Sequence, residues 1–340
     1  MRFNRMLTAV EYHTAGQPVR VVTGGIPNIP GKTMHEKREF FRHNLDHLRT
    51  ALLQEPRGHN DMWASIMTPP VTDGAAFGLI MFSGEEYNDM CGHGSIGAAT
   101  LAVDMGIVEA REPETEVIID AVAGPVRVRV SVKNGKTGSA TLQNVPSFLY
   151  KSTMIKVPRL GELPVDIAFG GNFYTIIEAK DLGITADVAG IKKANASGLL
   201  EEIAQCIDAQ LSVQHPEKDY IKLRSDMILI SDKPFKPEAN VKDTVRNIMV
   251  MPNRHIDRSP CGTGTSARVA TQYAKGKLHL GETLVTESII GTHFHAKAIK
   301  EVSVGGIKAI IPEVIGRAFV TGMHTFMIDE DDPLKYGFRL

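Results

Sequence analysis

Apolar and polar residues alternate with a period of two through much of this chain, the spacing of a half-buried β-strand. Strand-like runs fall at Leu7 to Tyr12, Val19 to Val22, Phe77 to Phe82, Glu116 to Ile119 and Val126 to Val132. In the last, valine alternates with arginine or serine, which predicts one wet face. Asn134-Gly135 then predicts a hairpin turn into Ser139 to Leu142. Further runs lie at Tyr174 to Glu178, Met227 to Ser231, Asn247 to Met251, Leu284 to Ser288, and between Ile299 and Met327. Helical spacing is rarer. Phe41, Leu45, Leu48 and Leu52 form one stripe and predict a helix over 34–53, with Thr33 and Glu36 placed as a capping box. A second helix is predicted over 199–211. Two more follow Cys91 and Cys261. Many strands, few helices and no regular βαβ alternation predict an α+β fold rather than a Rossmann sheet.

Those last two helices open on segments that read almost alike, Cys91-Gly92-His93-Gly94-Ser95 and Cys261-Gly262-Thr263-Gly264-Thr265. They lie half a chain length apart, and Gly106 and Gly276 close them at the same offset. Each reads as a cysteine, a glycine-rich turn, about three helical turns and a terminating glycine. The repeat predicts two similar halves. With a boundary near Val145-Pro146-Ser147, residues 1–147 plus about 322–340 form the half carrying Cys91, and 148–321 the half carrying Cys261.

Composition narrows the partners. A hydrophobic content of 43% is ample for packed cores, and a net charge of −1 offers no basic field for nucleic acid or an anionic membrane. No apolar run approaches membrane-span length, and the charged segment Met1 to Met6 has no apolar signal core behind it. Three cysteines are too few, and odd in number, for a disulfide scaffold. A reduced, cytoplasmic protein with free thiols is the expectation.

A cysteine just ahead of a helix sits where unpaired N–H groups and the helix dipole favour negative charge, which predicts a lowered thiol pKa. The glycines let backbone approach a ligand, and the same N–H groups can hold a carboxylate. Two such thiols could act as acid and base on opposite faces of a carbon α to a carboxylate, as inversion of a stereocentre requires. Other readings compete. A buried cysteine is usually packing, which is the reading of Cys206 on a face with Leu199 and Ile203. Cys91 and Cys261 could form a disulfide, which would leave the glycines unexplained. Neither motif has the CxxC or HxxxH spacing of a metal site, and no lysine follows Gly264 as a phosphate loop needs.

Met90-Cys91-Gly92-His93-Gly94, together with Asp257-Arg258-Ser259-Pro260-Cys261-Gly262-Thr263-Gly264-Thr265-Ser266-Ala267, resembles the proline racemase family. Supporting matches are His13-Thr14-Ala15-Gly16, Arg57-Gly58-His59-Asn60-Asp61-Met62, Gly170-Gly171-Asn172-Phe173 and Asp329 to Leu334, so the resemblance runs nearly end to end. It implies a diaminopimelate-epimerase-like fold of two pseudo-symmetric halves, each wrapping strands around a central helix, with the active site in the cleft between. It implies catalysis without cofactor or metal, Cys91 and Cys261 being the bases. Gly92, His93, Gly262 and Thr263 would hold the substrate, and Asp257 would accept hydrogen bonds from its ammonium group. A homodimer acting on a small amino acid is implied as well.

The family's dehydratases typically replace one catalytic cysteine, whereas both stand here. Proline racemase is therefore the favoured branch. 4-Hydroxyproline 2-epimerase is the alternative, followed by trans-3-hydroxyproline dehydratase and a non-catalytic carboxylate binder. Racemases of the family tend to have phenylalanine at the positions of Trp63 and Met251, which would wall the substrate ring, and often glutamate at Gln17. Trp63 could equally be core packing. An apolar wall rejects an added hydroxyl only weakly, so proline and hydroxyproline could both enter.

Overall fold

The computed structural model describes residues 3–252 and 255–339; Met1 and Arg2 of the charged N-terminal segment lie outside them. The chain divides into two compact units, Met1–Leu142 with Arg317–Leu340, and Gln143–Gly316. The junctions fall a few residues before those expected from sequence. The first junction falls at the last residue of strand Lys136–Gln143, and strand Ala318–Asp329 returns to pair antiparallel with Phe3–Thr14.

In the first unit, Phe3–Thr14 pairs antiparallel with Gln17–Gly24 across a tight turn at Ala15 and Gly16, both at positive φ. Gln17–Gly24 runs parallel to Trp63–Thr68, and the crossover carries helices α1 (Met34–Asn44) and α2 (Asp46–Leu53). Trp63–Thr68 pairs antiparallel with Phe77–Ser83. Phe77–Ser83 runs parallel to Glu114–Ala121 through a second crossover, helix α3 (Gly92–Asp104). Glu114–Ala121 then pairs antiparallel with Gly124–Lys133, whose burial alternates as its valines predict. Asn134 and Gly135 have φ of 53° and 69°, the pair of left-handed residues that a two-residue hairpin turn requires.

The second unit repeats this succession of pairings. Gly161–Phe169 pairs antiparallel with Phe173–Glu178, which runs parallel to Ile228–Asp232. That crossover carries α4 (Val188–Ala196) and α5 (Leu199–Gln210). Ile228–Asp232 is antiparallel to Asp243–Met251, which runs parallel to Thr283–Glu287 across helix α6 (Gly262–Ala274). Thr283–Glu287 is followed by antiparallel His293–Val304 and Ile307–Gly316. Phe148–Val157 flanks Gly161–Phe169 as Ala318–Asp329 flanks the first strand of the other unit. The half-length repeat is thus a repeat of topology.

Each cysteine helix is the buried core of its unit. In α3 every residue from Gly92 to Val103 is buried, and in α6 every residue from Gly262 to Thr271. Small residues (Gly, Ala, Ser, Thr) dominate both and let strands approach on all sides. The two helices end alike, with Gly106 and Gly276 each at φ 68°, the left-handed stop expected from their matched offsets.

Two expectations need correction. The single helix over 34–53 is two helices, because Leu45 leaves helical geometry at φ −131° and Asp46 begins a new turn, bonded to Arg49 and to the Tyr87 hydroxyl. The apolar stripe survives the break, since Phe41, Leu48 and Leu52 all enter one core with Ile66, Ile80 and Phe82. Thr33 caps α1 by accepting the Glu36 N–H at 3.1 Å, but the Glu36 carboxylate accepts from the Lys32 N–H rather than from Thr33. Helix α4 was not predicted; its apolar positions reduce to buried Ile191 and Ala194, too weak a stripe to read. Among the described residues no helix is long and apolar enough to cross a membrane.

Gly170 marks the closest packing against α6. A Cβ there would lie 2.2 Å from the Thr263 carbonyl oxygen and 2.5 Å from the Ala267 nitrogen, both backbone atoms of the first helical turns. Gly170→Ala is expected to destabilise the protein by about 1–3 kcal/mol. A lowered midpoint in denaturant or thermal unfolding checks this; a midpoint equal to that of the parent contradicts it.

Candidate active site

Cys91 is the N-cap of α3, in extended geometry at φ −137°. Its sulfur accepts the Gly94 N–H at 3.3 Å. A side chain at Gly94 would place Cβ 3.0 Å from that sulfur, so the third residue after the cysteine must be small for its N–H to reach. The His93 ring lies beside the thiol, with Nε2 at 3.5 Å and Nδ1 at 3.6 Å. The ring meets the Trp63 indole edge-on at a centroid distance of 5.4 Å, and the Thr14 hydroxyl donates to the His93 carbonyl at 3.0 Å. Trp63 is buried at the start of its strand. The first unit therefore brings Cys91, Gly92, His93 and Trp63 together.

Gln17 is fully buried, and its amide donates to the Asp61 carbonyl at 2.6 Å. This ties the first hairpin to the segment Arg57 to Met62. A glutamate carboxylate could not donate that bond, so glutamine makes a link that glutamate could not.

Cys261 occupies the equivalent place on α6, but with φ +61°. A non-glycine residue there carries strain of roughly 1–3 kcal/mol. The loop that imposes it is firmly held. The Asn247 amide donates to the Pro260 carbonyl at 2.8 Å. The Ser259 hydroxyl donates to Asp257 at 2.9 Å and accepts the Cys261 N–H at 3.1 Å. Asp257 is 1% exposed and also accepts the Ser259 N–H at 2.8 Å. Met251 is buried at the end of Asp243–Met251, cross-strand from His255 on the short return that leads to Asp257. The second unit thus brings Cys261, Gly262, Thr263 and Asp257 to one helix start, with Met251 on the adjoining hairpin.

The electrostatics here reverse one expectation. Helix position alone predicts a lowered thiol pKa, but burial, and after it the Asp257 carboxylate, push the Cys261 thiol up to about 12. The hydroxyls of Tyr174 and Thr263 and the nearby Gly264 N–H pull the other way and are outweighed. Tyr174 was missed by sequence reasoning. It stands 87 positions before Cys261, and only the fold places its hydroxyl 3.4 Å from the sulfur. Ser259 was legible, since it lies inside the long motif. Cys206 is half-buried on α5, with burial, and after it Glu202, raising its thiol pKa. Among the described residues no three His, Cys, Asp or Glu side chains form a group that could hold a metal ion.

The chain matches the family model described as proline racemase over residues 9–339. It is 46% identical to the proline racemase of Acetoanaerobium sticklandii, with all of both chains covered. It is 40% identical to a trans-3-hydroxy-L-proline dehydratase of Azospirillum brasilense, with 99% of each chain covered. A solved hydroxyproline epimerase from Agrobacterium vitis, with bound trans-4-hydroxy-L-proline, superposes with a TM-score of 0.91 at 31% identity, covering 100% of this chain and 97% of that one. The fold and these relatives define a racemase and epimerase class of isomerases. The chain belongs to the proline racemase family.

Removing the Asp257 charge should ease ionisation of its neighbour. Asp257→Asn is expected to speed iodoacetamide alkylation of Cys261 at pH 8 severalfold, because a larger fraction is thiolate at that pH. Peptide mass spectrometry reads the rate. An unchanged or slower rate contradicts the assignment of Asp257 as a cause of the raised pKa.

Proposed function

We propose that this protein interconverts the enantiomers of proline by proton transfer between two thiols, Cys91 and Cys261. The observation that carries the reading is duplication. Each unit buries one helix at its centre, and each such helix begins with a cysteine whose third following residue is a glycine.

The reactive form holds one thiolate and one thiol. The thiolate removes the Cα proton, and the thiol delivers its own proton to the opposite face. The product leaves with inverted configuration, and the two sulfurs have exchanged roles. The N–H groups opening the helices, those of Gly92, His93, Gly262 and Thr263, hold the substrate carboxylate and stabilise the charge that develops on it. The substrate ammonium pairs with Asp257. That pairing offsets one of the two causes that keep Cys261 protonated, so substrate binding itself promotes the thiolate. Trp63 and Met251 wall the ring. The reading extends to a homodimer, which rests on the family resemblance, and to a cytoplasmic location, which rests on the three free cysteines.

A second reading, epimerisation of 4-hydroxyproline at the same carbon, is favoured by the likeness to the Agrobacterium vitis protein. An apolar wall of tryptophan and methionine discriminates weakly against a hydroxyl, on the order of a hundredfold at most. Release of water from 3-hydroxyproline is disfavoured by the presence of both cysteines.

Incubation of the reduced protein with L-proline in D2O decides between these readings. Deuterium at Cα, growing together with D-proline on chiral chromatography, is the expected result. Absence of both, with turnover of trans-4-hydroxy-L-proline, contradicts the proline reading and supports the epimerase. Cys91→Ser or Cys261→Ser is expected to reduce racemisation at least about a thousandfold, a hydroxyl being a far weaker base at neutral pH. Full activity in either variant contradicts the two-thiol mechanism.

A further inference from the structure

The two sulfurs have different neighbours at the same sequence offset. Two residues after Cys91 stands an imidazole, and two residues after Cys261 stands the Thr263 hydroxyl. That hydroxyl lies 2.6 Å from the Tyr174 hydroxyl, a short and well-formed hydrogen bond. The Tyr174 hydroxyl also lies 3.4 Å from the Cys261 sulfur, and Thr263 Oγ1 is 3.9 Å from it. Tyr174 is 1% exposed on strand Phe173–Glu178 and Thr263 is 3% exposed. No water is needed to satisfy this triangle.

Two hydroxyls in a row can satisfy a sulfur in either protonation state without moving a heavy atom. With a thiolate, Thr263 donates to the Tyr174 oxygen and Tyr174 donates to the sulfur. With a thiol, S–H donates to the Tyr174 oxygen and Tyr174 donates to Thr263. Each hydroxyl keeps its own proton, and only the direction of donation reverses. Burial, and after it the neighbouring Cys261 and Asp257, hold the phenol well above its ordinary pKa. Tyr174 is therefore a permanent donor and not a base.

We propose that Tyr174 is a positioning residue for the Cys261 sulfur, and that the Tyr174–Thr263 hydroxyl pair reverses direction each time that sulfur gains or loses the substrate proton. The proposal rests on the racemase reading for its catalytic consequence, but its effect on the sulfur holds without substrate. It assigns the second unit a hydroxyl-buffered base, whereas the first unit sets an imidazole beside its thiol. Because donation to a thiolate stabilises the charged form, loss of the phenol hydroxyl leaves Cys261 harder to ionise.

The test is Tyr174→Phe, which keeps the ring and removes only the donor. In the substrate-free protein, iodoacetamide alkylation of Cys91 and of Cys261 is followed separately by peptide mass spectrometry between pH 7 and 10. The Cys261 rate is expected to fall by about tenfold at every pH, with the slope against pH unchanged. The Cys91 rate is expected to stay where it was. Proline kcat/KM is expected to fall roughly tenfold as well, and equally from either enantiomer, because the equilibrium between them is fixed at unity. An unchanged Cys261 rate overturns the proposal. Equal changes at both cysteines also overturn it, since they report general loosening rather than a lost donor. Should the parent protein fail to racemise proline while the Cys261 rate falls as stated, the racemase reading fails and the Tyr174 assignment stands.

Discussion

A thiolate can exist inside a protein only where fixed dipoles replace the water it has lost. The start of a buried helix supplies them, provided its first N–H groups can come within reach of the sulfur. The chain builds such a helix start twice, with the Gly94 N–H bonded to the Cys91 sulfur and the Gly264 N–H favouring the Cys261 thiolate without outweighing burial. The residue three places after each cysteine must be glycine, since a Cβ would lie 3.0 Å from the Cys91 sulfur or 2.9 Å from the Cys261 sulfur. The helix must be made of small residues, because strands enclose it. The strands must cross over that helix in parallel pairs, Phe77–Ser83 with Glu114–Ala121 and Asp243–Met251 with Thr283–Glu287, which places each cysteine between the crossover's first strand and its helix.

The condition is met differently in the two units. Cys91 adopts ordinary extended geometry and has the Gly94 N–H, with an imidazole alongside. Cys261 is held at positive φ by a loop clamped through Ser259 and Asn247, beside a carboxylate that opposes ionisation and a pair of hydroxyls that favours it. A racemase whose two bases exchange roles in every turnover does not need identical bases. It needs a pair that share one proton in the presence of substrate. In the proposed mechanism, a carboxylate that raises one thiol until an ammonium arrives links ionisation to occupancy of the site.

Much of this was legible in the sequence. The cysteine repeat, its closing glycines and the period-two runs gave the two halves, the buried helices and most strands, because each is a local pattern with a local physical cause. What was not legible depends on distance. Leu45 breaks a helix whose apolar stripe runs on unbroken, and no residue at that point announces it. Tyr174 reaches Cys261 through the placement of strand Phe173–Glu178 between Gly161–Phe169 and Ile228–Asp232, which no short window contains. The raised pKa of Cys261 escaped for the same reason. Helix position is written in the sequence, while the burial that outweighs it belongs to the whole unit.

The central claim is that each thiol serves one face of the substrate. Its most direct test is Cα hydrogen exchange in D2O with Cys91→Ser and Cys261→Ser, each offered L-proline and D-proline separately. A variant with one thiol should exchange the Cα proton of one enantiomer only, without inversion, and the two variants should choose opposite enantiomers. Exchange of both enantiomers by a single variant, or the same preference in the two, would contradict the account.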